Sequence, residues 1–286
     1  MSETNLANFR ANPVVEAEPK RYRTIFLSDL HLGAKASQAH LLLDFLKHND
    51  AETIYLVGDI VDGWKLRKGW HWPQAHNDVV QKLLRKARKG ARVIYVPGNH
   101  DEFARDYTGL TFGGVDVMHH AIHETADGKK MLIIHGDEFD IVVRNARWLA
   151  LLGDWAYDVA IAANTVLNRA RRMLGVGYWS FSAWAKLKVK EAVNFIGDFE
   201  QTLAAEALRR GVDGVVCGHI HHATIKMIDG VLYVNTGDFV ESCTAVAEHE
   251  DGSFEVLHWR TTGAEREAAT TNQPVKALPA PKAAAA

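Results

Sequence analysis

TIFLSDLH, residues 24–31, decides how this chain reads. The apolar, β-prone run Ile25-Phe26-Leu27 passes through a serine into Asp29 and His31, so a strand ends on two groups that bind cations. If the segment stays extended, side chains two apart point the same way and Asp29 and His31 would clasp a cation from one face; a loop there weakens that inference. The phrase returns downstream. TIYLVGDIVD at 53–62 ends on Asp59 and Asp62, and RVIYVPGNHD at 92–101 ends on Asn99, His100 and Asp101. MLIIHGD at 131–137 closes on His135 and Asp137, and GVVCGHIH at 214–221 on His219 and His221.

Helical patterns near 37–48 and 74–89 separate the first three of these runs, a βαβαβ order. Further runs at 115–118, 223–228, 231–234, 244–248 and 254–259 read as strands, several joined by Gly-containing turns such as Asp229-Gly230. The expected fold class is α/β, with two packed β-sheets flanked by helices. In open α/β sheets ligands collect beyond the carboxyl ends of the strands, and that is where the five clusters fall.

The donor set is carboxylate, imidazole and amide oxygen without thiolate. It suits borderline divalent ions such as Mn²⁺, Fe²⁺ or Zn²⁺ better than Ca²⁺. Two such cations about 3.5–4 Å apart need a bridging anion. Asp59, alone at the tip of a tight turn made by Gly58, is the expected bridge. The glycines before Asp59, Asn99 and His219 let the backbone turn where a side chain would collide with the cage.

Composition sets the class. The chain has 286 residues, 47% hydrophobic and 24% charged, with a net charge of −2. That describes a globular protein and argues against a nucleic-acid polymer as partner. Cys217 and Cys243 lack metal-site spacing and disulfide density, as in a reducing cytosol, and Cys217 reads as a buried, inert thiol. MSETNLANFR lacks the basic-then-apolar order of a secretory signal, so a cytoplasmic location is expected. His119, His120, His123 and His222 read as surface or packing histidines.

Residues 1–20 and 262–286, polar or Pro- and Ala-rich, are expected to be disordered arms on a domain spanning 21–261. Between the fourth and fifth clusters, about 141–212 is too long for a simple connection and reads as a helical lid inserted into that domain. Its first half places Trp148, Leu152, Trp155, Val159, Ala162 and Val166 on one helical face; its second half repeats the idea with Tyr178, Trp179, Phe181, Trp184 and Leu187. Residues 141–200 carry eight Lys or Arg against five Asp or Glu, most densely at Arg169, Arg171 and Arg172. Trp64, Trp70 and Trp72 add aromatic mass after the second cluster. Such a lid matches an amphipathic substrate and an anionic membrane surface. The alternative is a helical hairpin packed on the core with its cations solvated.

In this order the five clusters resemble the motifs of the calcineurin-like metallophosphoesterases over about 24–260. The resemblance implies a four-layer metallophosphoesterase fold and a metal-dependent phosphoester hydrolase with two divalent ions. Asp29, His31, Asp59 and His221 would hold one ion, and Asp59, Asn99, His135 and His219 the other. A water or hydroxide bridging the ions would attack phosphorus in line with the leaving oxygen, which His100 would stabilise or protonate. On this reading Asp101 orients the His100 ring, while Asp62 and Asp137 fix the tautomers of ligands.

HGDEFD at 135–140, with the helical insert, is similar to the UDP-2,3-diacylglucosamine diphosphatase family of lipid A synthesis. That resemblance implies cleavage of a pyrophosphate in a lipid-linked nucleotide sugar to UMP and a lipid sugar phosphate. It also implies Mn²⁺ as the usual metal, and the apolar, basic lid adds the expectation of a peripheral place on the inner face of the cytoplasmic membrane. The best-known branch of that family carries Asn-Arg-Asp where this chain has Asn99-His100-Asp101. Three functions therefore stand side by side: a lipid A pathway pyrophosphatase, a phosphodiesterase or phosphatase acting on a soluble nucleotide or other phosphoester, and a noncatalytic protein-binding scaffold. The oligomeric state is not legible.

Overall fold

A computed structural model describes residues 18–139 and 181–262, with the side chains of 181–194 left out. Strands β1 (Lys20–Leu27), β2 (Asn49–Val57) and β3 (Arg92–Val96) alternate with helices α1 (Ala39–His48), α2 (Gly63–Lys68) and α3 (Gln74–Arg88). A 3-10 turn, Glu102–Tyr107, leads into β4 (Thr111–Phe112), β5 (Val115–Val117), β6 (Ala121–Glu124) and β7 (Lys130–Ile133). Helix α4 (Phe181–Arg210) precedes β8 (Gly214–Cys217), β9 (Thr224–Ile228), β10 (Val231–Asn235), β11 (Thr244–Glu248) and β12 (Phe254–His258).

The strands form two sheets, seven-stranded in the order β12-β11-β1-β2-β3-β5-β4 and five-stranded in the order β6-β7-β8-β10-β9. The pairs β1–β2, β2–β3 and β7–β8 are parallel, so their carboxyl ends share an edge of each sheet.

The alternation of side chains along each strand builds the layers. In β1, Ile25 and Leu27 join α1 and α3, whereas Phe26 faces the other sheet; Ile54 and Leu56 against Tyr55 and Val57 do the same in β2. Across the gap Met131, Ile133, Val216 and Val234 complete the central layer. On the far side Leu132, Val215 and Tyr233 pack on Phe199, Leu203, Ala204 and Ala207 of α4. Helices, sheet, sheet, helix: the four expected layers are present.

Two expectations change. The lid was drawn to about residue 212, yet the carboxyl-terminal half of α4 is a core layer, its buried residues recurring every three or four positions from Phe199 to Ala207. The stretch from Phe199 onward therefore belongs to the core rather than to a lid. β6 was not foreseen, because four residues containing a histidine and a glutamate carry little periodic signal. Trp148, Trp155, Arg169, Arg171, Arg172 and Trp179 lie outside the described residues, as do both terminal arms but for their edges. Trp184 lies on α4, with its side chain undescribed. Among the described residues no helix is long and apolar enough to cross a membrane.

Candidate metal centre

The five clusters come together at the carboxyl ends of the parallel strands. The chain reverses sharply there: Asp29, His31, Asp59, His219 and His221 all have φ between 47° and 72°. Side chains rarely occupy this left-handed region, and such residues gather at functional sites. Backbone bonds lock the first two loops together, Asp29 N–H to Gly58 O at 3.0 Å and His31 N–H to Asp59 O at 2.9 Å. A Cβ on Gly98 would overlap the Asp59 carboxylate and the His135 ring, and one on Gly58 would overlap His135. Those two glycines are required by close approach.

Three donor groups result, each with its atoms within 4.8 Å of one another: Asp29, His31 and His221; His31, Asp59 and His100; Asp59, His135 and His219. His221 Nε2 lies 3.2 Å from Asp29 Oδ1, and His135 Nε2 lies 3.4 Å from Asp59 Oδ2. His31 Nε2 is 3.9 Å from both Asp29 Oδ1 and Asp59 Oδ2, which places Asp59 between the groups. Asp29 Oδ1, His31 Nε2, Asn99 Oδ1 and His135 Nε2 are buried without a hydrogen-bonding partner. Orphaned buried polar atoms are costly, and four on one spot is the arrangement a cation relieves. The residues present therefore fit divalent ions. Asn99 contributes one of these four atoms, its Oδ1.

Tautomers are set locally. His135 Nδ1 lies 2.9 Å from the carbonyl of Val57 and donates to it, leaving Nε2 as the lone pair facing Asp59. Burial opposes ionisation of Asp59, but the imidazoles of His135, His100 and His31 outweigh it and hold its carboxyl below the usual range. Burial likewise works against a charged His135, and the neighbouring Asp59 overcomes it, raising the imidazole well above its ordinary value. The carboxylates thus call for positive charge at this spot, which protons or metal ions supply.

His100 is half-buried, with Nε2 3.9 Å from Asp59 Oδ2 and its ring against the Trp64 indole, centroids 4.0 Å apart. The acid beside its Nδ1 is Asp62, at 3.1 Å; Asp62 also lies 3.3 Å from His31 Nδ1 and accepts from Lys65 N–H as the N-cap of α2. Asp101, expected to orient this ring, does not. Its carboxylate accepts the N–H groups of Gly98 at 2.6 Å, Ile60 at 2.7 Å and Asp59 at 3.2 Å, and the Tyr95 hydroxyl at 2.5 Å. Asp101 clamps the Asp59 loop to the Asn99 loop. Asp137 also differs from expectation, because both its oxygens sit 2.8 Å from Arg105 Nη2. Its carboxylate is committed to that guanidinium, and the Val57 carbonyl sets the tautomer of His135.

The sequence reading missed the supports beneath the fifth cluster. Asn235 Nδ2 donates to Gly218 O at 2.7 Å, and Ser28 Oγ donates to Asp29 Oδ2 at 2.5 Å. Asp238 accepts from Val240 and Glu241 N–H. VNTGD at 234–238 repeats the pattern of a strand ending in polar residues and glycine, a signal that would have found them. Among the described tryptophans, Trp64 touches the site; Trp72 packs on the first core, and Trp70 is 78% exposed. Cys217 is buried, its thiol pushed up to about 12 by burial, so it is inert.

The chain is similar to several known proteins. A UDP-2,3-diacylglucosamine hydrolase of Xanthomonas campestris pv. campestris is 25% identical over 80% of this chain and 96% of its own length. One from Nitrosococcus oceani is 27% identical over 72% of this chain and 82% of its own. An archaeal phosphodiesterase of known structure aligns over 82% of this chain and 98% of its own at 14% identity, with a TM-score of 0.37. The sequence profile of the calcineurin-like phosphoesterases matches residues 22–223, a span holding all five clusters, and the chain belongs to that family.

Proposed function

We propose that this protein is a two-metal hydrolase that cleaves the pyrophosphate of an amphipathic, UDP-2,3-diacylglucosamine-type nucleotide sugar. The observation that carries the reading is the convergence of Asp29, His31, Asn99 and His135, each with an orphaned buried donor atom, around Asp59. Alignment with UDP-2,3-diacylglucosamine hydrolases over 72–80% of this chain supports the substrate class. Asp29, His31, Asp59 and His221 would hold one ion, and Asp59, Asn99, His135 and His219 the other, with Mn²⁺ assigned and Fe²⁺ or Zn²⁺ as competitors. When bound, such ions supply Lewis-acid activation of water and charge neutralisation at phosphate.

The chain's own residues do the rest. Asp62 lies 3.1 Å from the Nδ1 edge of His100 and Trp64 packs on its face, leaving Nε2 toward the Asp59 side of the site. From there His100 donates a proton to the departing phosphate oxygen, so that water and the pyrophosphate yield UMP and a lipid sugar phosphate. The location we assign is the cytoplasmic face of the membrane that holds such a lipid.

The imidazole at position 100 favours a second reading, hydrolysis of a soluble nucleotide or simpler phosphoester, because an imidazole donates a proton near neutral pH where the guanidinium of an Asn-Arg-Asp sequence does not. One experiment separates them: Mn²⁺-reconstituted protein assayed side by side on UDP-2,3-diacylglucosamine, a nucleotide and an aryl phosphodiester, with Asp59→Ala as control. Selective UMP release is expected. Turnover of only the simpler esters would retire the lipid substrate, and equal turnover after chelation would retire the metal mechanism.

A further inference from the structure

One side of the seven-stranded sheet presents apolar and basic groups together. Five large apolar side chains that are well exposed lie in two neighbouring segments, Leu84 on α3 and Phe103, Tyr107, Leu110 and Phe112 around β4, the edge strand. Within the patch the Tyr107 and Phe112 rings are 5.7 Å apart, and Leu84 packs beside Gly113. Between α3 and the β4–β5 hairpin runs a groove of about 560 Å³ lined by Gln81, Leu84, Arg85, Arg88, Gly113 and Gly114.

The adjoining stretch of α3, QKLLRKARK at 81–89, has five cations and no acid. Lys86 pairs with Asp50 at 2.9 Å, but among the described residues Arg85 and Arg88 form no ion pair. Burial first, and then the neighbouring cations Lys86, Arg85 and Lys89, hold the Lys82 ammonium below its ordinary range, with Asp50 opposing them.

From this juxtaposition we infer that the α3 and β4–β5 edge docks on an anionic lipid surface, Arg85 and Arg88 meeting phosphate headgroups while Leu110, Phe112 and Leu84 enter the interface. Charge selects the occupant. A second copy docked here about a twofold axis would bring the same cations face to face. An RNA backbone would satisfy Arg85 and Arg88 but leave the aliphatic Leu84 and Leu110 in water. Docking at this surface does not depend on which phosphoester is cleaved.

The test is co-sedimentation of the full chain with vesicles of pure phosphatidylcholine and with vesicles containing one quarter phosphatidylglycerol. Binding to the anionic vesicles alone is expected, weakening as salt rises. Arg85→Gln with Arg88→Gln should lower the partition coefficient roughly 25-fold, about fivefold per charge. Leu110→Ser with Phe112→Ser should lower it as well, while Lys130→Gln on the other sheet should bind as wild type. Turnover of a detergent-dispersed substrate by the double arginine variant should be unchanged, which keeps this result apart from any failure of the proposed activity. Equal binding by wild type and both double variants would overturn the assignment. So would capture of polyuridylate with no binding to anionic vesicles.

Discussion

Asp59 is shared by two of the three donor groups. It sits at φ 54° after Gly58, and its Oδ2 faces His31, His100 and His135 at 3.4–3.9 Å. Asp59→Ala should therefore empty the whole centre, read as metal per chain by elemental analysis; two ions retained would refute the bridging role. His100→Ala should keep the metal and slow turnover by roughly 10²- to 10⁴-fold, the range of a lost general acid. Asp62→Asn should cost roughly 10- to 100-fold in activity, because it faces two imidazoles at once. Wild-type rates in Asp62→Asn would show that the ring holds itself. At this scale the ligand types were legible in the sequence, but the acid beside His100 was not. Asp101 is its chain neighbour and points into the backbone, whereas Asp62, from the preceding strand end, meets it in space.

Between elements, two buried carboxylates hold the frame. Asp101 joins the loop after β2 to the loop after β3 through three good backbone bonds and the Tyr95 hydroxyl. Asp101→Ala strands these donors, so it should destabilise the fold by about 3–5 kcal/mol in urea denaturation. An unchanged midpoint would mean that the clamp contributes nothing. Glu248 on β11 ties the two sheets, accepting from His123 on β6 at 2.7 Å and Arg23 on β1 at 2.6 Å. Burial opposes its charge, but His123, the Ala126 N–H and Thr24 outweigh it and hold its carboxyl below the usual range. A depressed folded value means that this stabilisation is fully present above the ordinary glutamate range, about 4.3, and is lost as pH falls through the lower folded value. Glu248→Gln should flatten the acid limb of a stability–pH curve; an acid limb as steep as wild type would place the sensitivity elsewhere. The strand runs and α3 were readable from period and composition. The half of α4 that serves as a core layer was not, since a continuous helical pattern does not say where an insert ends and the core resumes.

For the whole molecule, the orphaned donors predict that metal binding stabilises the fold. Apoprotein titrated with Mn²⁺ should gain about 2.7 kcal/mol at a hundredfold excess over its dissociation constant, seen as a rise in unfolding midpoint that Asp59→Ala lacks. A midpoint indifferent to Mn²⁺ would count against a preformed site. The sequence alone determined the architecture and the donor types, because strand and helix periods are local and because aspartate, asparagine and histidine at successive strand ends specify a cation wherever the ends meet. Only the tertiary structure decided the pairings: which acid steadies His100, which carboxylate merely clamps backbone, where Asp137 spends its charge and which edge of the sheet gathers apolar and basic groups. Those are contacts between residues as far as 42 positions apart, set by how parallel strands and their turns stack, and no local pattern encodes them.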